Sequence, residues 1–145
     1  MYVRWVVRGH KNSEIANVNF HDAYLVESFR DENGSPRQRT ISYLGNIRQI
    51  DDEFPTIERE IFLLRAELIL DSLDEVSPND KRQVMSNLHD RVQPVNADEV
   101  MLGFANTLRW YCRWWISNGK MPTEDELMTQ IRLAQDTVNQ ILLDD

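Results

Sequence analysis

The pair Asn33-Gly34 constrains this chain more than any other feature. It joins two apolar-rich runs, Phe20 to Arg30 and Pro36 to Gly45. An Asn-Gly pair between such runs is the strongest short-range hairpin signal, because both central residues of a type I′ turn need positive φ. With Asn33 and Gly34 as a two-residue loop, Val26 faces Ile41, Tyr24 faces Tyr43, Ser28 faces Arg39 and Arg30 faces Arg37. Apolar pairs then fill one end of the hairpin and arginines the other. Like charges directly opposite cost stability, so Arg30 and Arg37 need a reason. One reason is an anion, a phosphate or an acidic partner at that end. The other is a solvated tip eased by Asp31 and Glu32, since edge strands carry charges that prevent wrong pairing.

The order of patterns along the chain is β first, then α. Met1 to Arg8 alternates, with Val3, Trp5 and Val7 on one face, and reads as a first strand. A polar loop over 11–19 leads into the hairpin, giving a three-stranded antiparallel sheet that needs a cover for its apolar face. A linker over 49–55 follows, and Pro55 suits a first helical turn. The expected fold is α+β: a small N-terminal three-stranded antiparallel sheet over 1–50, then a bundle of about four helices over 55–145, packed together as one domain.

Each helix has readable punctuation. The first, from Thr56 to Leu73, has two apolar stripes, Ile57, Ile61, Leu64 and Leu68 on one and Phe62, Ala66, Ile69 and Leu73 on the other. Two stripes predict burial on much of its circumference and a central position. The second opens at Ser77-Pro78-Asn79-Asp80, a cap followed by proline, and carries Val84, Leu88 and Val92 before Pro94. Asn96-Ala97-Asp98-Glu99 resembles a capping box for the third, which closes at Asn118-Gly119. Leu127, Ile131, Ala134, Val138 and Ile141 make the fourth the cleanest amphipathic pattern of the chain.

The hairpin residues also carry a family resemblance. The string Tyr24-Leu25-Val26-Glu27-Ser28-Phe29-Arg30, then Asn33-Gly34, then Arg37-Gln38-Arg39-Thr40-Ile41-Ser42-Tyr43-Leu44-Gly45, resembles the N-terminal region of one group of insertion-sequence transposases of the DDE type. In that group the pattern precedes a three-carboxylate, ribonuclease-H-like catalytic domain. The helical remainder here departs from the family by being too short for that domain, so the family activity is not carried over. The resemblance implies a small β-module of mobile-element ancestry, used for nucleic-acid or partner contact.

Composition and charge narrow the classes of partner. With 41% hydrophobic and 28% charged residues the chain reads as globular. No apolar run reaches the ~20 residues that span a bilayer, and Arg4 interrupts the N-terminal run, so neither a membrane partner nor a signal peptide is expected. The single cysteine, Cys112, excludes an internal disulfide and points to a reducing, cytoplasmic setting. Residues 1–50 carry seven Lys or Arg against five acids, whereas the rest carries nine against nineteen. Duplex binding draws mainly on phosphate neutralisation, so any nucleic-acid contact falls to the N-terminal third. The acidic helical part suits solubility or docking on a basic protein surface.

The third helix holds the most unusual local chemistry, Arg109-Trp110-Tyr111-Cys112-Arg113-Trp114-Trp115. Met101, Ala105, Leu108, Cys112 and Trp115 form one stripe, read as core. Trp110 and Trp114 lie four apart, with Arg109 and Arg113 beside them. Such a face suits base or partner stacking or a protein interface; the plainer expectation is that these indoles pack the sheet onto the helices. Catalytic and metal constellations are not evident: His10, His21 and His89 are scattered, and the glycines form no phosphate loop. His10 and His21 could approach across neighbouring strands. No catalytic residue, metal or cofactor is assigned. The leading expectation is a non-enzymatic accessory protein in a nucleoprotein setting, with Arg30, Arg37, Arg39, Arg4 and Arg8 supplying anion contacts. The alternative is an acidic adaptor or inhibitor that docks on a protein through Trp110, Trp114, Arg109 and Arg113. Surplus apolar helix faces and an exposed sheet edge are compatible with a homodimer.

Overall fold

A computed structural model describes residues 1–12 and 14–143, with side chains described through residue 137. The expectations at Val138 and Ile141 therefore lie outside the described residues. Along the chain run β1 (Tyr2–Gly9), β2 (Val18–Arg30), β3 (Pro36–Ile50), α1 (Thr56–Ser72), α2 (Pro78–Arg91), α3 (Ala97–Ser117) and α4 (Glu124–Leu143). The strands pair antiparallel in the order β1-β2-β3, so a three-stranded sheet followed by four helices, an α+β arrangement, is observed as expected. Among the described residues no helix is long and apolar enough to cross a membrane. The chain divides into two compact units, Met1–Asn96 and Ala97–Asp145.

The hairpin is where sequence expected it, but its turn is of a different kind. Gly34 N donates to Asp31 O at 2.9 Å and Asp31 N to Ser35 O at 3.0 Å, which closes a three-residue loop. Gly34 has φ 76°, whereas Asn33 is not at positive φ. A turn followed by a left-handed glycine is the usual three-residue hairpin connection. The Asp31 carboxylate selects it: Oδ1 accepts from the amides of Asn33 and Ser35 at 3.0 and 2.9 Å, and Oδ2 from Arg37 Nε at 3.0 Å. The pair of positive φ values expected at Asn33-Gly34 occurs instead at Asp51 and Asp52 (49° and 66°), between Ile50 and Glu53, which exchange backbone hydrogen bonds of 2.8 and 3.0 Å. Asp tolerates this region better than most residues.

The register changes with the turn. At the tip Phe29 faces Arg37, Glu27 faces Arg39 and Arg30 faces Pro36, so the expected opposition of Arg30 and Arg37 does not occur. Irregularities beside Ile41 and Leu44 each insert one β3 residue, so Tyr24 does face Tyr43, as expected, while Ala23 faces Gly45. Gly45 ends the strand in the sequence pattern. It has φ 136°, and the strand bends through it to continue pairing as far as Ile50. A Cβ on Gly45 would sit 3.5 Å from the Phe62 ring, so the bulge also lets α1 approach closely.

One face of the sheet is covered by α1 and α2. Ala23, Leu25, Leu44 and Ile47 from the sheet meet Phe62, Leu63, Ala66 and Leu70 from α1 and Val84 and Leu88 from α2, all buried. Trp5 packs on this core with its ring 5.8 Å from Phe62. Ser77 caps α2 as expected, with Asp80 N donating to its Oγ at 3.1 Å and the Asp80 carboxylate accepting from Ser77 N. The expectation for α1 needs correction. Phe62 and Ala66 of one stripe are buried, with Ile69 and Leu73 half-buried, but Ile57, Ile61, Leu64 and Leu68 are between 49 and 71% exposed. Periodicity reports that a face is apolar, not that an element is available to cover it.

In the second unit α3 has no buried residue. Its expected core stripe is not one, for Met101 and Ala105 are exposed and Leu108, Cys112 and Trp115 are half-buried. Thr123 Oγ1 accepts from Glu126 N at 3.2 Å at the start of α4.

Candidate functional site

The helices leave the opposite face of the sheet open, and the unusual polar chemistry gathers there. Strand alternation places Arg4, Val6 and Arg8 of β1 opposite Tyr24, Asp22 and Phe20 of β2, with Tyr43 and Asn46 of β3 beyond. Arg4, Val6, Arg8 and Tyr43 are exposed. The Arg4 guanidinium lies over the Tyr24 ring at 5.3 Å, and that of Arg8 over Phe20 at 5.5 Å. Tyr24 and Tyr43 lie side by side with ring centroids 5.2 Å apart.

At the centre of this face is Asp22, only 6% exposed. It accepts from Arg8 Nε at 2.8 Å, from the Tyr43 hydroxyl at 2.8 Å and from Asn46 Nδ2 at 3.0 Å. Burial pushes the Asp22 carboxyl up, but the three donors and the Arg8 charge more than reverse this and hold it below the usual carboxylate range. The effect on Tyr43 runs the other way. Burial raises its phenol, and the hydrogen bond to Asp22 and the Asp22 charge add to this, so it is pushed up to about 12. Sequence reading missed this cluster. Its signal was an acid on the strand face shared with Phe20, Tyr24 and Val26, a position that requires partners.

The hairpin arginines are distributed along the outer half of the sheet and are mostly compensated. Arg37 pairs with Asp31, and Arg39 donates to Glu27 Oε2 at 2.6 Å and to Glu75 Oε2 at 2.8 Å. Arg30 Nη1 donates to the Gly34 carbonyl at 2.8 Å and makes no ion pair among the described residues. Arg8 is matched by Asp22, while Arg4 has no carboxylate within ion-pair distance among the described residues. Arg30 follows Tyr24, Val26 and Ser28 at alternate positions of β2, so it shares the open face with Arg4, roughly 20 Å along the strand.

The histidines do not come together. His10 Nδ1 accepts from Asn12 N at 3.0 Å in the first loop. His21 is buried on the helix-covered face, with Nε2 3.0 Å from Gln49 Oε1 and Nδ1 3.3 Å from Arg91 Nη1. A guanidinium can only donate, so Nδ1 accepts and Nε2 carries the proton. Arg91 also lies over the Trp5 ring at 4.6 Å, which ties the end of α2 to β1.

On α3, Trp110 is 70% and Trp114 is 53% exposed. With Arg109, Arg113, Asn106 and Ser117 they line a shallow groove within the second unit.

Against known proteins, residues 19–82 match the family model described as the N-terminal domain of IS1634 family transposases. The match runs from β2 into α2, so it contains Arg30, Arg37, Arg39 and the Asp22 cluster except Arg8, and it stops short of α3. No curated protein and no solved structure matches the chain.

Proposed function

We propose that this chain is a non-catalytic accessory protein that contacts nucleic acid in a mobile-element setting through the arginines of its three-stranded sheet. The observation that carries the reading is the open sheet face, where the Arg4 and Arg8 guanidinium groups lie over the Tyr24 and Phe20 rings and Tyr43 of β3 is exposed beside them. A guanidinium stacked on a ring loses little freedom when it meets a phosphate, and exposed rings offer bases a stacking surface. The charges rank themselves. Arg4 and Arg30 lack a carboxylate partner among the described residues and supply most of the anion contact, with Arg37 next; Arg8 and Arg39 serve mainly to hold the face together through Asp22, Glu27 and Glu75. The net charge of −8 works against indiscriminate binding and confines contact to this face.

The test is fluorescence anisotropy with labelled single-stranded and duplex DNA over a range of salt concentrations. Replacing Arg4 and Arg30 together by alanine is expected to weaken binding and to lower the salt slope by about two, one per lost phosphate contact. Unchanged affinity and slope in that variant, with binding present in the parent, would remove the sheet face from the interaction.

A second reading is favoured by the exposure of Trp110 and Trp114: an acidic adaptor or inhibitor docking on a protein through α3, with Arg109 and Arg113 beside the indoles. Its partner would survive nuclease treatment and be lost with Trp110→Ala, whereas the Arg4 and Arg30 changes would leave it bound.

A further inference from the structure

We propose that α1 is the seam of a parallel, two-fold dimer between two copies of this chain. The stripe Ile57, Ile61, Leu64 and Leu68 lies on the side of α1 away from Phe62 and Ala66, which face the sheet, and each of its members is about half exposed or more. Its spacing of four, three and four residues is that of the d, a, d, a positions of a coiled coil. A surface helix normally places charge there.

The flanking charges say what fits the stripe. Glu60 and Glu67 occupy one flank, and Glu58 and Arg65 the other. Glu58 is taken by Arg48 at 2.6 Å and Glu67 lies 3.4 Å from Lys81, while Glu60 and Arg65 make no ion pair among the described residues. In a parallel pair of helices each g position meets the e position five residues on in the other copy. Glu60 then meets Arg65 of the second copy, twice by symmetry. An antiparallel pair would set Arg65 against Glu58, which Arg48 already holds, and would set the two Glu60–Glu67 flanks against each other. The stripe is thus complementary to itself in one orientation, which is what a two-fold interface requires.

Two heptads make a short seam, and two free peptides of this length would be marginal as helices. Here α1 is already held helical by the core on its other side, so association orders only side chains. A weak, reversible dimer is the expected strength.

The experiment is sedimentation equilibrium on the full chain over a wide concentration range. The expected result is a reversible monomer–dimer equilibrium that Leu64→Glu abolishes while circular dichroism stays unchanged, because Leu64 is on the surface. Glu60→Arg and Arg65→Glu are each expected to raise the dimer dissociation constant by about three- to tenfold, and the two together to restore it to within about twofold. Orientation is read by cysteine crosslinking in a Cys112→Ser background. Ile57→Cys and Leu68→Cys, near opposite ends of the stripe, each link to their own copy in a parallel seam. A monomer at every concentration overturns the proposal, as does a dimer indifferent to Leu64→Glu. Failure of the double swap to restore association, or of both cysteines to crosslink, overturns the parallel arrangement.

Discussion

The two units of this chain solve the problem of the apolar face differently. In Met1–Asn96, α1 and α2 lie on a sheet, and residues from all three elements reach full burial, among them Leu25, Leu44, Phe62, Leu70 and Leu88. In Ala97–Asp145 the apolar cleft between the two helices is lined by Phe104, Leu108, Tyr111, Leu127 and Ile131, and α3 has no buried residue. The better amphipathic patterns belong to α3 and α4, yet the buried side chains belong to α1 and α2. Amphipathicity tells that a helix has a face to hide; a second layer decides whether the face is hidden. A two-layer unit of sheet and helices holds itself together, while a helical pair exposes surface that a partner can use.

The strongest test of this contrast is truncation of the central core side chain. Phe62 is 1% exposed, packs beside the Trp5 ring and lies over Gly45. Phe62→Ala is expected to cost the first unit about 3–5 kcal/mol, through lost transfer energy and the cavity left behind. In the second unit Leu108→Ala removes a half-buried side chain and is expected to cost about 1 kcal/mol or less. Urea unfolding of the two variants, followed by circular dichroism, measures the difference. Equal costs would mean that burial does not separate the units as described.

A smaller effect belongs to the first unit because its polar cluster does. Asp22→Ala leaves the Tyr43 hydroxyl, Asn46 and Arg8 without their acceptor. The expected loss is about 1–3 kcal/mol, toward the lower end because these partners can reach water. The sign of the pH dependence follows from the shifts. Asp22 is held below the ordinary carboxylate value, so its stabilisation is complete above the unfolded value near 3.8 and is lost as pH falls through the lower folded value. Tyr43 is pushed up to about 12, so the unfolded chain loses its phenolic proton first, and stability declines as pH rises from about 10 toward 12. Ultraviolet titration of the folded protein should show the Tyr43 phenol late and moving part of the way back with Asp22→Asn, the part that remains being burial. A late phenol unaffected by Asp22→Asn would separate the two groups.

What could be read from the sequence divides by range. The Ser77 cap of α2 was legible because its hydrogen bonds close within three residues. The existence of the hairpin was legible in Asn33-Gly34, but not its turn, which Asp31 fixes by binding Asn33, Ser35 and Arg37 at once. The bulges at Ile41 and Leu44 slip the register twice, and no local pattern marks them apart from Gly45, which reads equally well as a strand end. The arginines were visible as charges, but not their neutralisation. Arg39 is held by Glu27 and Glu75, and Glu75 is 36 residues away, a pairing that only the packing of the α1–α2 connection beside the hairpin creates. The same limit applies to α1, where two stripes were legible and the lack of a cover for one was not.

The smallest expected change in stability is also the sharpest test of the contrast between the units. Trp110 and Trp114 expose 70 and 53% of their surface, so truncating them removes little buried area. Trp110→Ala is expected to shift unfolding by no more than about 0.5 kcal/mol, the range of surface substitutions. A tryptophan kept exposed on a helix beside arginines has the composition of an interface hot spot, where truncation typically costs 2 kcal/mol or more of binding (roughly thirtyfold in affinity). The informative quantity is therefore the ratio of two effects in one variant, stability by denaturation and affinity for whatever protein the chain retains after nuclease treatment. A large loss of affinity with stability intact places the tryptophans at a partner surface. A comparable loss of both would mean that the indoles support the helical pair itself, and the second unit would then be a folded domain with a core of its own rather than a surface awaiting one.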